Sequence, residues 1–156
     1  MRVWRIATEN AKYLATDLTG KGAELSPGRW NTYGFPVLYT ASTISLAMLE
    51  TVAHIDAGGL PQLKFLIGID ITAANWKQRD IIKPTDLPSG WDAIPHDDMT
   101  TAIGTDWLQH RKSLILCVPS AITPEEMVVL INPLHPKAST LKAKKIRPVD
   151  YKTVLR

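Results

Sequence analysis

Residues 63–71 alternate with a period of two: Leu63, Phe65, Ile67, Ile69 and Ile71 share one side, while Lys64 and Asp70 interrupt the other. Only an extended chain sends every second side chain to one face, so this segment predicts a strand lying centrally in a sheet. The same two charges disqualify it as a membrane span, and no other apolar run approaches the roughly 20 residues needed to cross a bilayer. Residues 113–118 and 127–130 read as two further apolar strands, separated by the turn-forming Pro119-Ser120-Ala121 and Pro124. Residues 3–6 and 37–40 add short strands, and the tail is a candidate for a last one.

Helical periodicity is clearest over residues 43–57, with Ser42 as N-cap and Gly58 as the stop. There Leu46, Leu49 and Ala53 recur as a core face, with Ala47, Glu50 and His54 as the neighbouring stripe. Residues 97–110 predict a second helix that buries Met99, Ile103 and Trp107, and residues 9–16 a brief one capped by Thr8. The loop punctuated by Gly20, Gly22, Pro27 and Gly28 and the Pro-, Asp- and Trp-rich residues 74–96 read as irregular, the latter as a surface loop or a lid. Strands and helices interleave without a regular beta-alpha-beta rhythm or a Gly-x-Gly-x-x-Gly turn. The expected fold is therefore one α+β domain over residues 1–156, with a bent, mixed or split β-sheet flanked by helices.

Composition narrows the function classes. At 156 residues, 45% hydrophobic and 21% charged, the chain can bury a core and is neither a disordered segment nor a coiled coil. No secretory leader is visible at its start, which points to a cytoplasmic protein. The net charge of +3 does not demand nucleic acid. Much of it is local to Lys137, Lys142, Lys144, Lys145, Arg147, Lys152 and Arg156, which form either a solvated face or a docking surface for phosphate or acidic protein. The lone Cys117, inside an apolar run, reads as a small buried hydrophobe. No phosphate loop, nucleophile elbow or zinc pattern occurs, and His54, His96, His110 and His135 are scattered, so no metal is expected.

Polar residues in core-like settings remain. Arg29, in Gly28-Arg29-Trp30-Asn31, can grip a phosphate with two parallel hydrogen bonds, or sit on the surface beside a turn. Tyr39 can stack on a flat heterocycle or fill the core. Glu50 sits mid-helix, where a carboxylate costs free energy unless it is paired or functional, or where it faces solvent and pairs with His54. Ser120 can bind a sugar or cap the next segment, and Asn132 and His135 can border a site or make a rigid proline turn.

The order and surroundings of these residues resemble the RES domain, a family named for its Arg, Glu and Ser. The likeness runs through Trp4-Arg5-Ile6, Gly20-Lys21-Gly22-Ala23, Gly28-Arg29-Trp30-Asn31, Val37-Leu38-Tyr39-Thr40-Ala41 and Leu46-Ala47-Met48-Leu49-Glu50. It continues in Ile103-Gly104-Thr105-Asp106-Trp107, Val118-Pro119-Ser120-Ala121 and Ile131-Asn132-Pro133-Leu134-His135-Pro136. It departs at Ser26-Pro27 and Met127-Val128-Val129, which affects loop shape more than the polar residues.

The resemblance implies a fold similar to ADP-ribosyltransferases and a bacterial toxin that cleaves the nicotinamide–ribose bond of NAD as glycohydrolase or phosphorylase, or transfers ADP-ribose to a protein. NAD is then substrate, with no separate cofactor. Arg29, Glu50 and Tyr39 are the catalytic candidates, with Ser120, Trp30, Asn31 and Asn132 binding substrate. The implied partner is an Xre-type antitoxin, with DNA reached only through it, and exposed strands offer a route to a homodimer. The alternative of another class is a non-catalytic module that docks nucleic acid or acidic protein through the basic tail.

Overall fold

The computed structural model describes residues 1–54 and 63–154. Its strands are β1 (Arg2–Thr8), β2 (Leu38–Ala41), β3 (Lys64–Asp70), β4 (Asp80–Ile81), β5 (Ile115–Pro119), β6 (Met127–Ile131) and β7 (Lys142–Val149). They form one seven-stranded sheet in the order β4-β5-β6-β2-β1-β3-β7. The β4–β5 pairing is parallel and the others are antiparallel, so the sheet is mixed, as expected of the α+β class. The helices are α1 (Lys21–Leu25), α2 (Ile44–Val52), α3 (Ala73–Lys77), α4 (Asp98–His110) and α5 (Tyr151–Val154).

Alternation along the strands divides the core between the two faces of the sheet. One face carries Val3, Ala7, Leu38, Ile67, Ile69, Ile115, Cys117, Val129 and Ile131. The other carries Val37, Leu116, Val118, Val128 and Leu130, covered by Trp30, Trp91 and Trp107. On that second face, farther toward β1, α2 lays Leu46 and Ala47 against Ala41, Trp4 and Ile6. Tyr39 and Ala41 are two residues apart on β2, so the tryptophan layer and α2 lie side by side over one surface.

Several expectations are corrected. β3 is one strand from the edge rather than central, and it is buried on both faces because Leu66 packs with Val149 and Tyr151. Residues 9–16 are not helical: β1 runs through Thr8, then Asn10 Oδ1 accepts from the Lys12 and Tyr13 amides and Glu9 Oε2 from the Ala15 amide. Side chains that bond nearby backbone amides offer an alternative to the helical ladder. The glycine-punctuated loop contains α1, and the irregular residues 74–96 contain β4 and the end of α3.

α2 is capped by Thr43, whose hydroxyl accepts from the Leu46 amide, rather than by Ser42, and it ends at Val52. The expected stop at Gly58 and residues 55–57 lie outside the described residues. Leu49 and Ala53 are exposed, because Ile44, Met48 and Val52 take the contacts with Leu66 and Tyr151. In α4 the buried face is Thr100, Gly104, Trp107 and Leu108, with Met99 exposed, a rotation from the expected stripe that keeps Trp107 in the core.

The tail forms β7 at the sheet edge, with Lys142, Lys144, Lys145 and Arg147 on or near the surface. Lys145 reaches Glu9 Oε1 at 2.7 Å and lies over the Phe65 ring. Charged side chains along an edge strand oppose pairing with a second sheet. Cys117 is buried as expected, and burial pushes its thiol up to about 11, which keeps it neutral.

Ile67 is fully buried where β1, β3 and β7 meet. Ile67→Ala is expected to lower the unfolding free energy by about 2–5 kcal/mol in urea titration, the usual cost of truncating a core aliphatic side chain.

Candidate active site

The loop that carries Arg29 is built around one buried amide. Asn31 is 0% exposed; its Nδ2 donates to the carbonyls of Ala23 at 2.8 Å and Phe35 at 3.0 Å. Its Oδ1 accepts from the Gly28 amide at 2.9 Å and from the Tyr39 hydroxyl at 2.7 Å. Both donors and both acceptor positions of the amide are therefore used within the protein. Tyr39 Oη in turn accepts from the Trp30 amide at 2.9 Å. Burial pushes the Tyr39 phenol well above the ordinary tyrosine range, against the opposing effects of the Trp30 amide and the Arg29 charge. The hydroxyl thus stays protonated and able to donate. Gly28 is required by contact: a Cβ there would lie 2.8 Å from the Tyr39 ring.

Arg29 projects from this loop. Its Nη1 donates to the Trp91 carbonyl at 2.6 Å and Nη2 to the Ala93 carbonyl at 3.0 Å. These bonds tie the 74–96 connection to the glycine loop. A guanidinium has five N–H donors, so three remain for another ligand. Its neighbours Gly28 and Trp30 both approach the Tyr39 ring or hydroxyl, so the Arg29 backbone lies beside Tyr39.

Glu50 comes from α2 and meets Ser120, 70 positions later, at the end of β5. Ser120 Oγ donates to Glu50 Oε1 at 2.7 Å and accepts from the Ile122 and Thr123 amides, each at 3.1 Å. Ser120 is fully buried, so it caps the following turn and fixes the carboxylate at once. His54 does not pair with that carboxylate; its Nδ1 meets the Glu50 backbone carbonyl at 2.6 Å.

The structure thus joins two pairs, the Arg29 loop with Tyr39 and Glu50 with Ser120, carried by the tryptophan layer and by α2 on the same face of the sheet. Trp30 belongs to the core, at 2% exposed, and reaches the site only through its backbone. Asn132 is placed elsewhere, beyond Ile131 at the end of β6 opposite Met127. At about 3.3 Å per residue, that is roughly 15–20 Å from the Ser120 end of the strand pair. Its Nδ2 donates to the Leu108 carbonyl, its Oδ1 accepts from the Leu134 amide, and its own amide donates to the Leu114 carbonyl. His135 makes the turn read from its prolines, its Nδ1 accepting from the Lys137 amide. Desolvation pulls His135 below the usual histidine range, aided by Lys137 and Arg111.

A cavity of ≈ 180 Å³ lined by Asn75, Gln78, Lys112, Ser113, Leu114, His135 and Lys137 also lies at the far end of β5 and contains none of the candidate catalytic residues. Among the described residues no cluster of three His, Cys, Asp or Glu side chains could hold a metal, and no helix is long and apolar enough to cross a membrane. Sequence reasoning missed the carbonyls of Trp91 and Ala93 and the α4 side chains behind Arg29. A carbonyl carries no residue-specific signal, and these partners are more than 60 positions away.

The chain belongs to the RES domain family, whose model matches residues 2–153. It is 44% identical to the Prs ADP-ribosylating toxin of Sphingobium sp. strain YBL2 over 148 residues, covering 95% of this chain and 92% of that one. It is 39% identical over 152 residues to Toxin Res of Yersinia enterocolitica, covering 97% and 95% of the two chains. Its fold matches a chain in the crystal structure of the M. tuberculosis MbcT–MbcA toxin–antitoxin complex with a TM-score of 0.72 at 20% identity, over 99% of this chain and 86% of that one.

Asn31→Ala removes four hydrogen bonds and strands buried groups on the loop. It is expected to lower the unfolding free energy by roughly 2–4 kcal/mol, the scale of one or two unsatisfied buried partners, as measured by chemical denaturation.

Proposed function

We propose that the chain is the toxin of a toxin–antitoxin pair and that it breaks the bond between nicotinamide and ribose in NAD. The observation that supports this reading is the half-buried Glu50 carboxylate held by Ser120, on a helix that lies beside the tryptophan layer to which Tyr39 belongs. As nicotinamide leaves, C1 of the ribose gains positive charge, and a carboxylate held in place stabilises that oxocarbenium-like state without reorganising. Glu50 supplies the charge. Among the described residues only Oε1 is hydrogen-bonded, and in this reading the second oxygen meets the ribose hydroxyls. Arg29 offers its remaining N–H donors to a phosphate, and the Tyr39 ring provides a flat surface for nicotinamide.

In this reading Ser120, Trp30, Asn31 and Asn132 act through other residues rather than on the substrate. Ser120 aims the acid, Asn31 and the Trp30 backbone shape the Arg29 loop, and Asn132 fastens the C-terminal end of α4. Water or phosphate completes the reaction. A second reading has a protein as acceptor, and the 44% identical relative favours it, because that toxin is named for ADP-ribosylating Prs. An Xre-type antitoxin is the proposed restraint on either activity.

Glu50→Gln keeps an oxygen for Ser120 to donate to and removes the charge. It is expected to lose about 2.7–4 kcal/mol of transition-state stabilisation, or roughly 10²–10³ in kcat, while its denaturation midpoint stays close to that of the parent. Nicotinamide released from NAD with phosphate present, followed by chromatography, reads the loss; a variant as fast as the parent defeats the proposal. Labelled NAD incubated with Prs separates the acceptors, because transfer leaves the label on protein rather than on free ADP-ribose or its phosphate.

A further inference from the structure

The motif Ile103-Gly104-Thr105-Asp106-Trp107 has no part in the chemistry just described, yet it lies directly behind the Arg29 loop. Three residues of α4 at helical spacing, Thr101, Gly104 and Thr105, each touch a different residue of that loop. The Thr101 hydroxyl donates to the Arg29 carbonyl at 3.2 Å, shared with the Asp97 carbonyl of its own helix at 3.4 Å. Gly104 is fully buried against the Trp30 carbonyl, so close that a Cβ could not be accommodated without moving backbone. Thr105 Oγ1 accepts from the Thr32 amide at 3.1 Å and is hydrogen-bonded to Thr32 Oγ1 at 2.6 Å, where either hydroxyl can donate.

α4 itself is fixed at both ends. Asp97 caps its start by accepting from the Met99 amide, and Asn132 takes the Leu108 carbonyl near its end. Trp107 anchors the same last turn, its indole N–H donating to Ser113 Oγ at 3.0 Å. From these contacts we infer that α4 is the rigid backstop that sets the position of Arg29, with Thr105 as its principal positioning residue. Thr105 touches no reacting atom; it holds the segment from which the guanidinium reaches its partners. The inference rests on the reading of Arg29 as the phosphate-binding group, and it adds the device that aims it.

The test compares Thr105→Val, which keeps shape and loses the hydrogen bonds, with Thr105→Ser, which keeps the hydroxyl. Thr105→Val is expected to raise KM for NAD about tenfold with kcat changed less than threefold, because a displaced Arg29 weakens binding more than bond breaking. Thr105→Ser is expected to restore KM to within about twofold of the parent. A Thr105→Val protein of lower Tm whose KM equals that of the parent overturns the inference, since that pattern marks a merely structural role.

A second readout is independent of catalysis. Amide hydrogen exchange at Trp30, whose own partner is Tyr39, is expected to speed up about tenfold in Thr105→Val while exchange in β5 and β6 stays unchanged. Unchanged exchange at Trp30 overturns the inference even if NAD proves not to be the substrate. Accelerated exchange with no nicotinamide release by the parent protein upholds the backstop and removes the functional reading alone.

Discussion

The site depends on the side-chain amide of Asn31, which is enclosed completely and has no hydrogen-bonding capacity left over. It joins the middle of α1, the Gly28 turn, the residue before Pro36 and the phenol of β2, four segments that no ladder of secondary structure connects. Buried polar networks of this kind specify one arrangement because every alternative leaves a group unpaired. The consequence is that Arg29, a long and flexible side chain on a loop, begins from a fixed base. The α4 contacts act on the same base from the opposite side.

The acid is fixed by a different logic. α2 has only nine residues, too few to be stable alone, and its place is set by packing on Ala41, Trp4, Ile6 and Leu66. Ser120 then selects one orientation of Glu50, and two backbone amides that donate into Ser120 Oγ polarise the hydroxyl toward the carboxylate. The ring of Tyr39, the cation of Arg29 and the anion of Glu50 are thus held by three separate means: strand pairing, a buried side-chain network and helix packing.

The strands were readable in the sequence because alternation and apolar runs report burial directly. The polar candidates were readable because a carboxylate at Glu50 or a hydroxyl after Pro119 is costly in such surroundings. What each does was not readable. Ser120 and Asn31 read in the sequence as substrate contacts, with capping as the alternative for Ser120, and their protein partners are fixed only by tertiary folding. The missing helix at residues 9–16 failed for a local reason, since Asn10 and Glu9 satisfy the amides a helix would have used. The exposed Leu49 failed for a distant one: the face of α2 is chosen by Tyr151, about a hundred positions later.

The sheet order has a consequence for how the protein is made. β2, which holds Tyr39, pairs with β6, and Glu50 finds its partner at the end of β5. A nascent chain still short of residue 131 therefore has Glu50 and Tyr39 in its sequence without the strands that hold them. The arrangement forms only once β5 and β6 are present, and a product that stops before them carries the residues without it.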